Sequence, residues 1–210
     1  MKKVFLLSVF AAFLVACGNS GETTSTSEAE TVAEETAESV SYAVNVAEST
    51  LNWKGTKPTG DFHTGTAAIT GGKLGMEGES LTSGNFAIDL TKLAVLDEGL
   101  DEETKAKLLG HLTSGDFFEV EKYPSASFDI TGSTADSLTG NLTIKDVTKS
   151  ITIPYSVQEE NGVLTASSTF AIDRTKWGVT YNSGNFFENL GDYLINDEVE
   201  FTVNLVANAK

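Results

Sequence analysis

The chain has few of the side chains on which most catalytic and metal sites depend. Its 210 residues include one cysteine, two histidines and three prolines, and a single arginine, Arg174. One cysteine excludes an intramolecular disulfide. Two isolated histidines do not provide the three or four closely spaced ligands that zinc requires. Walker, GxSxG, HExxH and GxGxxG-helix motifs are also missing. We therefore predict a protein that is not an enzyme and holds no metal or cofactor.

Positive charge is scarce as well. The chain has fourteen lysines and arginines and thirty aspartates and glutamates, which gives a formal net charge of −16. Without Lys2 and Lys3, which belong to the N-terminal segment described next, twelve bases face thirty acids and the charge is −18. Such a surface repels phosphate backbones, and no run of basic residues offers an exception, so we expect no nucleic acid partner. Docking on anionic lipid is disfavoured too, and any membrane attachment is expected to be covalent.

The N-terminus has the pattern of an export signal. Lys2 and Lys3 precede an apolar run from Val4 to Val15 that only Ser8 interrupts. This run is too short for a helix that spans a bilayer, which needs about 20 residues. It ends in Leu14-Val15-Ala16-Cys17, which resembles the lipobox of bacterial lipoproteins, in which the cysteine thiol takes a diacylglyceryl group.

This pattern predicts both processing and location. We expect residues 1–16 to be removed as a lipoprotein signal peptide and Cys17 to carry the lipid anchor. The alternative is an ordinary secretory signal with an unrelated cysteine. Gly18 rather than aspartate follows the cysteine, and by resemblance to the enterobacterial sorting rule this favours the outer membrane. We expect the domain to face the periplasm, with exposure at the cell surface as the other possibility.

Residues 17–39 are predicted to be a disordered acidic tether. After the cysteine this segment consists mainly of Gly, Ser, Thr, Ala and Glu, with six glutamates and no base. It has no aromatic side chain to bury and its charges repel one another, which favours an extended spacer. A transient helix over residues 29–38 is the alternative.

Beyond Ser39 apolar and polar residues alternate, which is typical of half-buried strands. The predicted strands cover residues 40–46, 51–55, 64–70, 81–90, 127–132, 138–145, 151–157, 164–172 and 199–207. Short turn sequences separate several of them, so neighbours should be antiparallel: Gly71-Gly72, Gly132-Ser133, Lys145-Asp146 and Glu160-Asn161-Gly162. Eight to ten strands in one domain predict an all-β closed barrel or sandwich.

One helix is predicted within this β-rich region. Asp101 is the expected N-cap, Glu102 and Glu103 suit the positive end of the helix dipole, and Gly110 is expected to end the helix. A short helix between barrel strands usually covers an end of the barrel, where a ligand would enter.

Several motifs resemble one known family. Residues 111–128, HLTSGDFFEVEKYPSASF, are similar to a conserved segment of YceI-like domains, and residues 140–149 and 172–179 resemble two further segments in the same order. The resemblance extends over residues 40–210. It implies a lipocalin-like antiparallel β-barrel of about eight strands with one short helix, whose interior holds a polyisoprenoid or similar lipid tail without catalysis. The opening from Trp53 to Gly65 resembles a glycine-rich variant that differs from the better-known lipid-binding members.

The large apolar side chains are the candidate lining of such an interior. They are Trp53, Phe86, Leu108, Phe117, Phe118, Phe128, Phe170, Trp177 and Phe186. The alternative for each of them is that it fills a closed core. Phe186 and Phe187 lie in a long loop, where they could close over a ligand or dock on the barrel.

Four polar residues are candidates for contact with a ligand headgroup. Arg174 has a planar fork suited to phosphate or carboxylate, and Lys57 is predicted to lie near it. The alternative for Arg174 is an internal ion pair with Asp173. His63 and His111 could meet a headgroup at the barrel mouth, or could be structural histidines.

Three functions are compatible with these features. The first is an envelope lipoprotein that binds an apolar lipid or polyisoprenoid tail in its barrel. The second is a non-catalytic scaffold or interaction module of the cell envelope with a solid barrel core. The third, which no sequence motif supports, is an enzyme that acts on an envelope substrate.

Overall fold

The computed structural model describes residues 23–210. Cys17 and the predicted signal peptide lie outside the described residues. Within 23–210 there are eleven strands: β1 (Thr26–Glu28), β2 (Val40–Val44), β3 (Thr50–Thr56), β4 (Phe62–Glu77), β5 (Ser80–Val95), β6 (Ser125–Ser133), β7 (Ser137–Ile144), β8 (Val147–Pro154), β9 (Ser156–Glu160), β10 (Val163–Asp173) and β11 (Glu198–Ala209). One helix, α1 (Glu102–Thr113), and two 3₁₀ turns, Arg174–Trp177 and Gly191–Tyr193, complete the elements.

The strands form an antiparallel barrel with eight strand positions around its circumference, two of which are occupied by a pair of shorter strands. Strands β2 and β3 both pair with β4 and β11, so they act as one interrupted strand. Strands β8 and β9 form another, because β8 pairs with β7 and β9 pairs with β10 on the two sides of Tyr155. With β4, β5, β6, β7, β10 and β11 this makes the predicted all-β barrel of about eight strands with one short helix.

One end of the barrel, here called the mouth, carries α1, the β3–β4 and β7–β8 turns and residues 174–197. The helix begins as predicted: Asp101 is the N-cap and its carboxylate accepts a hydrogen bond from the Thr104 amide at 2.7 Å. It does not end at Gly110 but continues to Thr113. No helix in the described part of the chain is long and apolar enough to cross a membrane.

Two of the predicted turns are correct and two are wrong. Lys145 and Asp146 form the β7–β8 turn with φ values of 49° and 57°, and Asn161-Gly162 forms the β9–β10 turn. Gly71-Gly72 instead lies inside β4 beside a register shift. A Cβ atom on Gly72 would lie 2.3 Å from the Asn85 carbonyl oxygen, so the glycine permits close strand contact rather than a turn. Gly132-Ser133 likewise lies within β6, at a bulge.

The segment 23–39, here called the strap, is ordered against the barrel, so the prediction of a free tether is wrong for these residues. Strand β1 pairs antiparallel with β8, and the Thr24 amide donates to the Ala171 carbonyl of β10 at 2.8 Å. The strap therefore fills the gap at the mouth-side half of the barrel, where β8 and β10 do not pair with each other.

The rest of the strap crosses the outside of β7 and β6. Asn141 of β7 is buried beneath it, and its side chain holds both backbone groups of Glu30: the Glu30 amide donates to Oδ1 at 2.9 Å, and Nδ2 donates to the Glu30 oxygen at 2.7 Å. Further along, the Ala33 amide donates to the Ile130 carbonyl at 3.0 Å. These bonds satisfy backbone groups without apolar burial, which explains why a polar, glutamate-rich composition can be ordered here.

Candidate functional site: an apolar chamber at the barrel mouth

The barrel interior contains an apolar chamber below the mouth, here called the upper chamber. Its volume is about 110 Å³, and its wall comes from α1 and from inward-facing residues of seven strands. Alternation along the strands brings these side chains to the inside. Aliphatic residues dominate the wall, among them Leu51, Ala67, Ile88, Leu90, Leu93, Leu112, Ile144, Ile172, Ile195 and Val199.

Aromatic residues complete the wall and two of them are fixed by their ring nitrogens. Trp177 is fully buried and its Nε1 donates to the Leu142 carbonyl at 3.0 Å. The Trp53 ring nitrogen donates to the Thr66 carbonyl at 3.3 Å. The Trp53 ring lies so close to β4 that a Cβ on Gly65 would be 2.3 Å from it. The glycine at the end of this opening motif therefore makes room for the indole.

The turn that follows the helix closes the chamber toward solvent. Phe117 and Phe118 both line the chamber, with ring centroids 6.5 Å apart. The Lys145 ammonium group donates to the Phe117 carbonyl at 2.9 Å, which ties this turn to the β7–β8 turn. Phe117 also lies 5.6 Å from the Tyr181 ring. The cover is thus held by a few contacts from exposed turns rather than by a sheet.

Arg174 is a structural residue of the chamber wall. Its side chain is 4% exposed, and it donates to the carbonyl oxygens of Val179 at 2.8 Å, Ile195 at 3.2 Å and Asn196 at 3.2 Å. Burial lowers the pKa of Arg174, although nearby carboxylates oppose the shift. Most of its hydrogen-bond donors are therefore used inside the protein. The guanidinium group was predicted to bind a headgroup, but it instead stabilises the loop 178–197.

The ion-pair partner of Arg174 is not the predicted one. The closest carboxylate is that of Asp197, whose Oδ1 lies 3.3 Å from Arg174 Nη2. Asp173 instead caps the following 3₁₀ turn by accepting from the Thr175 amide at 3.0 Å, and it lies 3.4 Å from the Lys176 ammonium group. Asp197 also accepts from Asn185 Nδ2 at 2.7 Å, so it ties Arg174 to the middle of the loop 178–197, here called the mouth loop.

A more polar space, here called the vestibule, adjoins the upper chamber at the mouth. It measures about 180 Å³ and shares five residues with the chamber wall: Trp53, Gly55, Leu112, Phe117 and Ile195. The structure brings three of the four predicted headgroup candidates together here, Lys57, His63 and His111, and the predicted lining residue Leu108 lies beside them. The chamber wall is apolar, and the adjoining vestibule adds the ionisable side chains of Lys57, His63 and His111, so the two spaces together suit an amphipathic molecule.

The two histidines of the vestibule have carboxylate neighbours. His63 Nδ1 lies 2.6 Å from Asp97 Oδ2. Asp97 also accepts from the Thr64 amide at 2.7 Å. Burial alone would raise the pKa of Asp97, but the hydrogen bonds from His63 and Thr64 outweigh it and the pKa is lowered. His111 Nδ1 lies 3.6 Å from Asp116 Oδ2.

The other headgroup candidate is held in place by the loop that faces it. Lys57 Nζ donates to the Asp192 carbonyl oxygen at 3.1 Å. Its ammonium group is solvent-exposed and retains two further donors. Among residues 23–210, no group of three or more His, Cys, Asp or Glu side chains is arranged to hold a metal ion.

Four of the predicted lining residues lie elsewhere. Phe86, Phe128 and Phe170 line a second cavity of about 40 Å³ deeper in the barrel, here called the lower chamber, which shares no wall residue with the upper chamber. Phe86 and Phe128 pack with ring centroids 5.7 Å apart. Phe186 is 57% exposed on the mouth loop and lines neither chamber. The upper and lower chambers of the described barrel therefore have separate walls and do not share one tunnel.

Comparison with known proteins agrees with this architecture. A profile described as the YceI-like domain matches residues 42–207, and the chain belongs to this family. A UPF0312 protein of Pseudomonas aeruginosa is 40% identical over 74 residues, which is 33% of this chain and 38% of that protein. The chain thus matches less than half the length of this curated relative.

Two solved structures share the fold. Burkholderia cenocepacia BcnA superposes with a TM-score of 0.54 at 21% identity, covering 78% of this chain and 98% of that one. A polyisoprenoid binding domain from Saccharophagus degradans, described as implicated in plant cell wall breakdown, gives a TM-score of 0.60 at 14% identity, with 81% and 99% coverage. At these identities the likeness shows the fold alone.

Proposed function

We propose that this chain is a lipoprotein of the bacterial cell envelope that binds the apolar tail of an isoprenoid or a similar lipid, without catalysing a reaction. The observation that carries the proposal is the upper chamber, whose wall is apolar and which shares wall residues with the vestibule that contains Lys57, His63 and His111. A tail would occupy the chamber, while a headgroup would meet Lys57, His63 and His111. The Saccharophagus domain, described as polyisoprenoid-binding, has the same fold.

The chamber limits how the tail can bind. A cavity of about 150 Å³ holds one benzene molecule, so 110 Å³ accepts only a few carbon atoms without rearrangement. A longer tail must displace side chains at the floor, among them Phe201, which packs 5.7 Å from Phe170 of the lower chamber. Such displacement costs about 1–3 kcal/mol, whereas each buried CH₂ contributes about 0.8 kcal/mol. The cost of the displacement is therefore offset once the tail buries a handful of carbons in the barrel.

The proposed attachment and location rest on the N-terminal sequence. We propose that residues 1–16 are a signal peptide and that acyl chains on Cys17 hold the domain at the outer membrane, facing the periplasm. The excess of acids over bases supports covalent attachment, because it disfavours docking on anionic lipid.

A non-catalytic scaffold with a solid barrel is the second candidate. It is favoured by one specific observation: the lower chamber is only about 40 Å³ and is walled off from the upper one. If the aromatic floor does not move, the barrel holds no long tail.

Native mass spectrometry of the chain purified from a bacterial envelope tests the choice. A stoichiometric apolar adduct, present on isolation or after incubation with polyprenyl lipids, is expected. Ala67→Leu fills the upper chamber and should abolish the adduct, while Ala47→Leu in an exposed turn should retain it. A melting curve checks that both variants fold. Absence of any adduct in the parent chain would favour the scaffold.

A further inference from the structure

The mouth of the barrel carries a set of exposed apolar side chains, here called the rim. They are Phe62 (56% exposed), Leu96 (52%), Phe186 (57%), Phe187 (49%) and Tyr193 (74%). All of the exposed phenylalanine, tyrosine and tryptophan side chains in the described part of the chain belong to the rim. Scattered single apolar residues need no explanation, but aromatic residues gathered at one end of a barrel indicate an interaction surface.

Hydrogen bonds hold the two main parts of the rim together. Lys57, in the β3–β4 turn before Phe62, donates to the carbonyl of Asp192, the residue before Tyr193. The Asn196 amide donates to the Thr56 carbonyl at 3.0 Å, which fixes the end of the same loop to β3. The exposed rings are therefore presented by braced turns around the vestibule.

The strap determines how far the rim can be from a lipid anchor. The first described residue, Thr23, lies at the mouth-side half of the barrel: its hydroxyl donates to the Glu198 carboxylate, and its backbone bridges to Ala171. Six peptide links separate Thr23 from Cys17. Whatever their conformation, they span at most about 20 Å. A free tether over residues 17–39 would have reached several times farther.

We infer that the rim docks on the surface of a zwitterionic phospholipid bilayer and places the vestibule against it. This inference rests on the proposed lipid attachment at Cys17, because the short segment between Cys17 and Thr23 keeps the mouth close to the membrane. Aromatic side chains partition favourably into the interface between water and lipid. The formal charge of −18 on the chain after Lys2 and Lys3 selects zwitterionic over anionic headgroups. Docking in this orientation gives a lipid tail a path from the bilayer into the upper chamber.

Hydrogen exchange on the lipidated full-length protein tests the inference. The protein is placed in phosphatidylcholine vesicles, and the reference is the unlipidated chain from Gly18 in buffer. Exchange over residues 57–62 and 183–194 is expected to slow by about tenfold or more, since each buried ring shifts partitioning by about that factor. The far-end turns at 78–80 and 160–162 should be unchanged. Adding phosphatidylglycerol should weaken the protection.

Two variants make the result specific. The triple variant Phe186→Ser, Phe187→Ser, Tyr193→Ser should restore fast exchange over residues 57–62, which it leaves unaltered. The control variant Val40→Ser, Val163→Ser, with two exposed residues at the far end, should keep the protection. Protection that depends on protein concentration would indicate a second copy on the rim and overturn the inference, as would equal exchange in vesicles and buffer.

The intact mass separates this inference from the proposed attachment. A mature mass without acyl chains would contradict both the lipid attachment at Cys17 and the docking of the rim. Acyl chains on Cys17 with no protection at the rim would leave the lipoprotein in place and reject the docking.

Discussion

The side chain of Arg174 stabilises the loop 178–197 through hydrogen bonds to backbone carbonyls, although it was predicted to contact a ligand. Replacing it with Met should lower the free energy of unfolding by about 3–5 kcal/mol, because buried carbonyls and Asp197 lose a charged donor. Urea denaturation at neutral pH measures this loss. Lys176→Met, two residues away and half-exposed, should change it by no more than about 0.5 kcal/mol. Equal effects of the two substitutions would contradict the structural role.

The contact between His63 and Asp97 should make stability depend on pH in a defined direction. The pKa of Asp97 is lowered in the folded protein, so its stabilising contribution is complete above the unfolded pKa of about 3.9 and is lost as the pH falls through the folded value. Asp97→Asn should therefore cost about 1–3 kcal/mol at neutral pH, and the difference from the parent should shrink below pH 4.

Denaturant titrations between pH 7 and pH 2.5 check this expectation. Asp61→Asn, an exposed acid two positions from His63, serves as the control and should give a small difference at every pH. A difference for Asp97→Asn that stays constant down to pH 2.5 would show that its ionisation does not contribute.

At the scale of elements, the strap is held on β7 by a single buried side chain. Asn141→Ala should leave the Glu30 amide and carbonyl without partners and cost about 2 kcal/mol. Hydrogen exchange over residues 23–39 should rise with it. Thr139→Ala, on the same outer face of β7 but away from the strap, should leave that exchange unchanged. Exchange at unprotected rates in the parent chain would contradict docking of the strap.

Elements with a local signal could be predicted and elements held by distant contacts could not. The helix N-cap at Asp101 and the Lys145-Asp146 turn depend on neighbouring residues, and both predictions are confirmed. Gly71-Gly72 also has the composition of a turn. At Gly72, however, glycine is required because the backbone of Asn85 on the next strand lies too close for a side chain. The strap depends on Asn141, more than a hundred residues later, and composition alone favoured disorder.

At the scale of the whole molecule, alternation predicts which side chains face inward but not how deep they lie. Phe128 and Trp177 were both expected in the lining, and both are inside the barrel, yet they belong to different chambers. Depth depends on strand register and on how strands stagger around a barrel, and neither is encoded in a local pattern. The vestibule was easier to predict, because Lys57 lies in a turn, His63 at the start of β4 and His111 near the end of the helix.

Closure of the barrel provides the last prediction. A chain that begins at Ser39 lacks the strap, so the mouth-side parts of β8 and β10 lose the segment between them. We expect its free energy of unfolding to fall by about 2–4 kcal/mol, the net of several hydrogen bonds and the ordering entropy of the strap. Its melting temperature should fall by about 5–10 °C relative to the chain from Gly18. The uncovered edges should also favour self-association, because they present unpaired backbone groups.

Thermal melts and size-exclusion chromatography of three chains separate the strap from the residues before it. A chain that begins at residue 22 keeps every contact of the strap, and it should match the chain from Gly18 in melting temperature and in apparent size. Only the chain from Ser39 should differ. If it melts at the same temperature and remains monomeric, the barrel closes without the strap, and residues 23–39 serve the anchor alone; the gap between β8 and β10 would then be free to widen when a lipid tail enters.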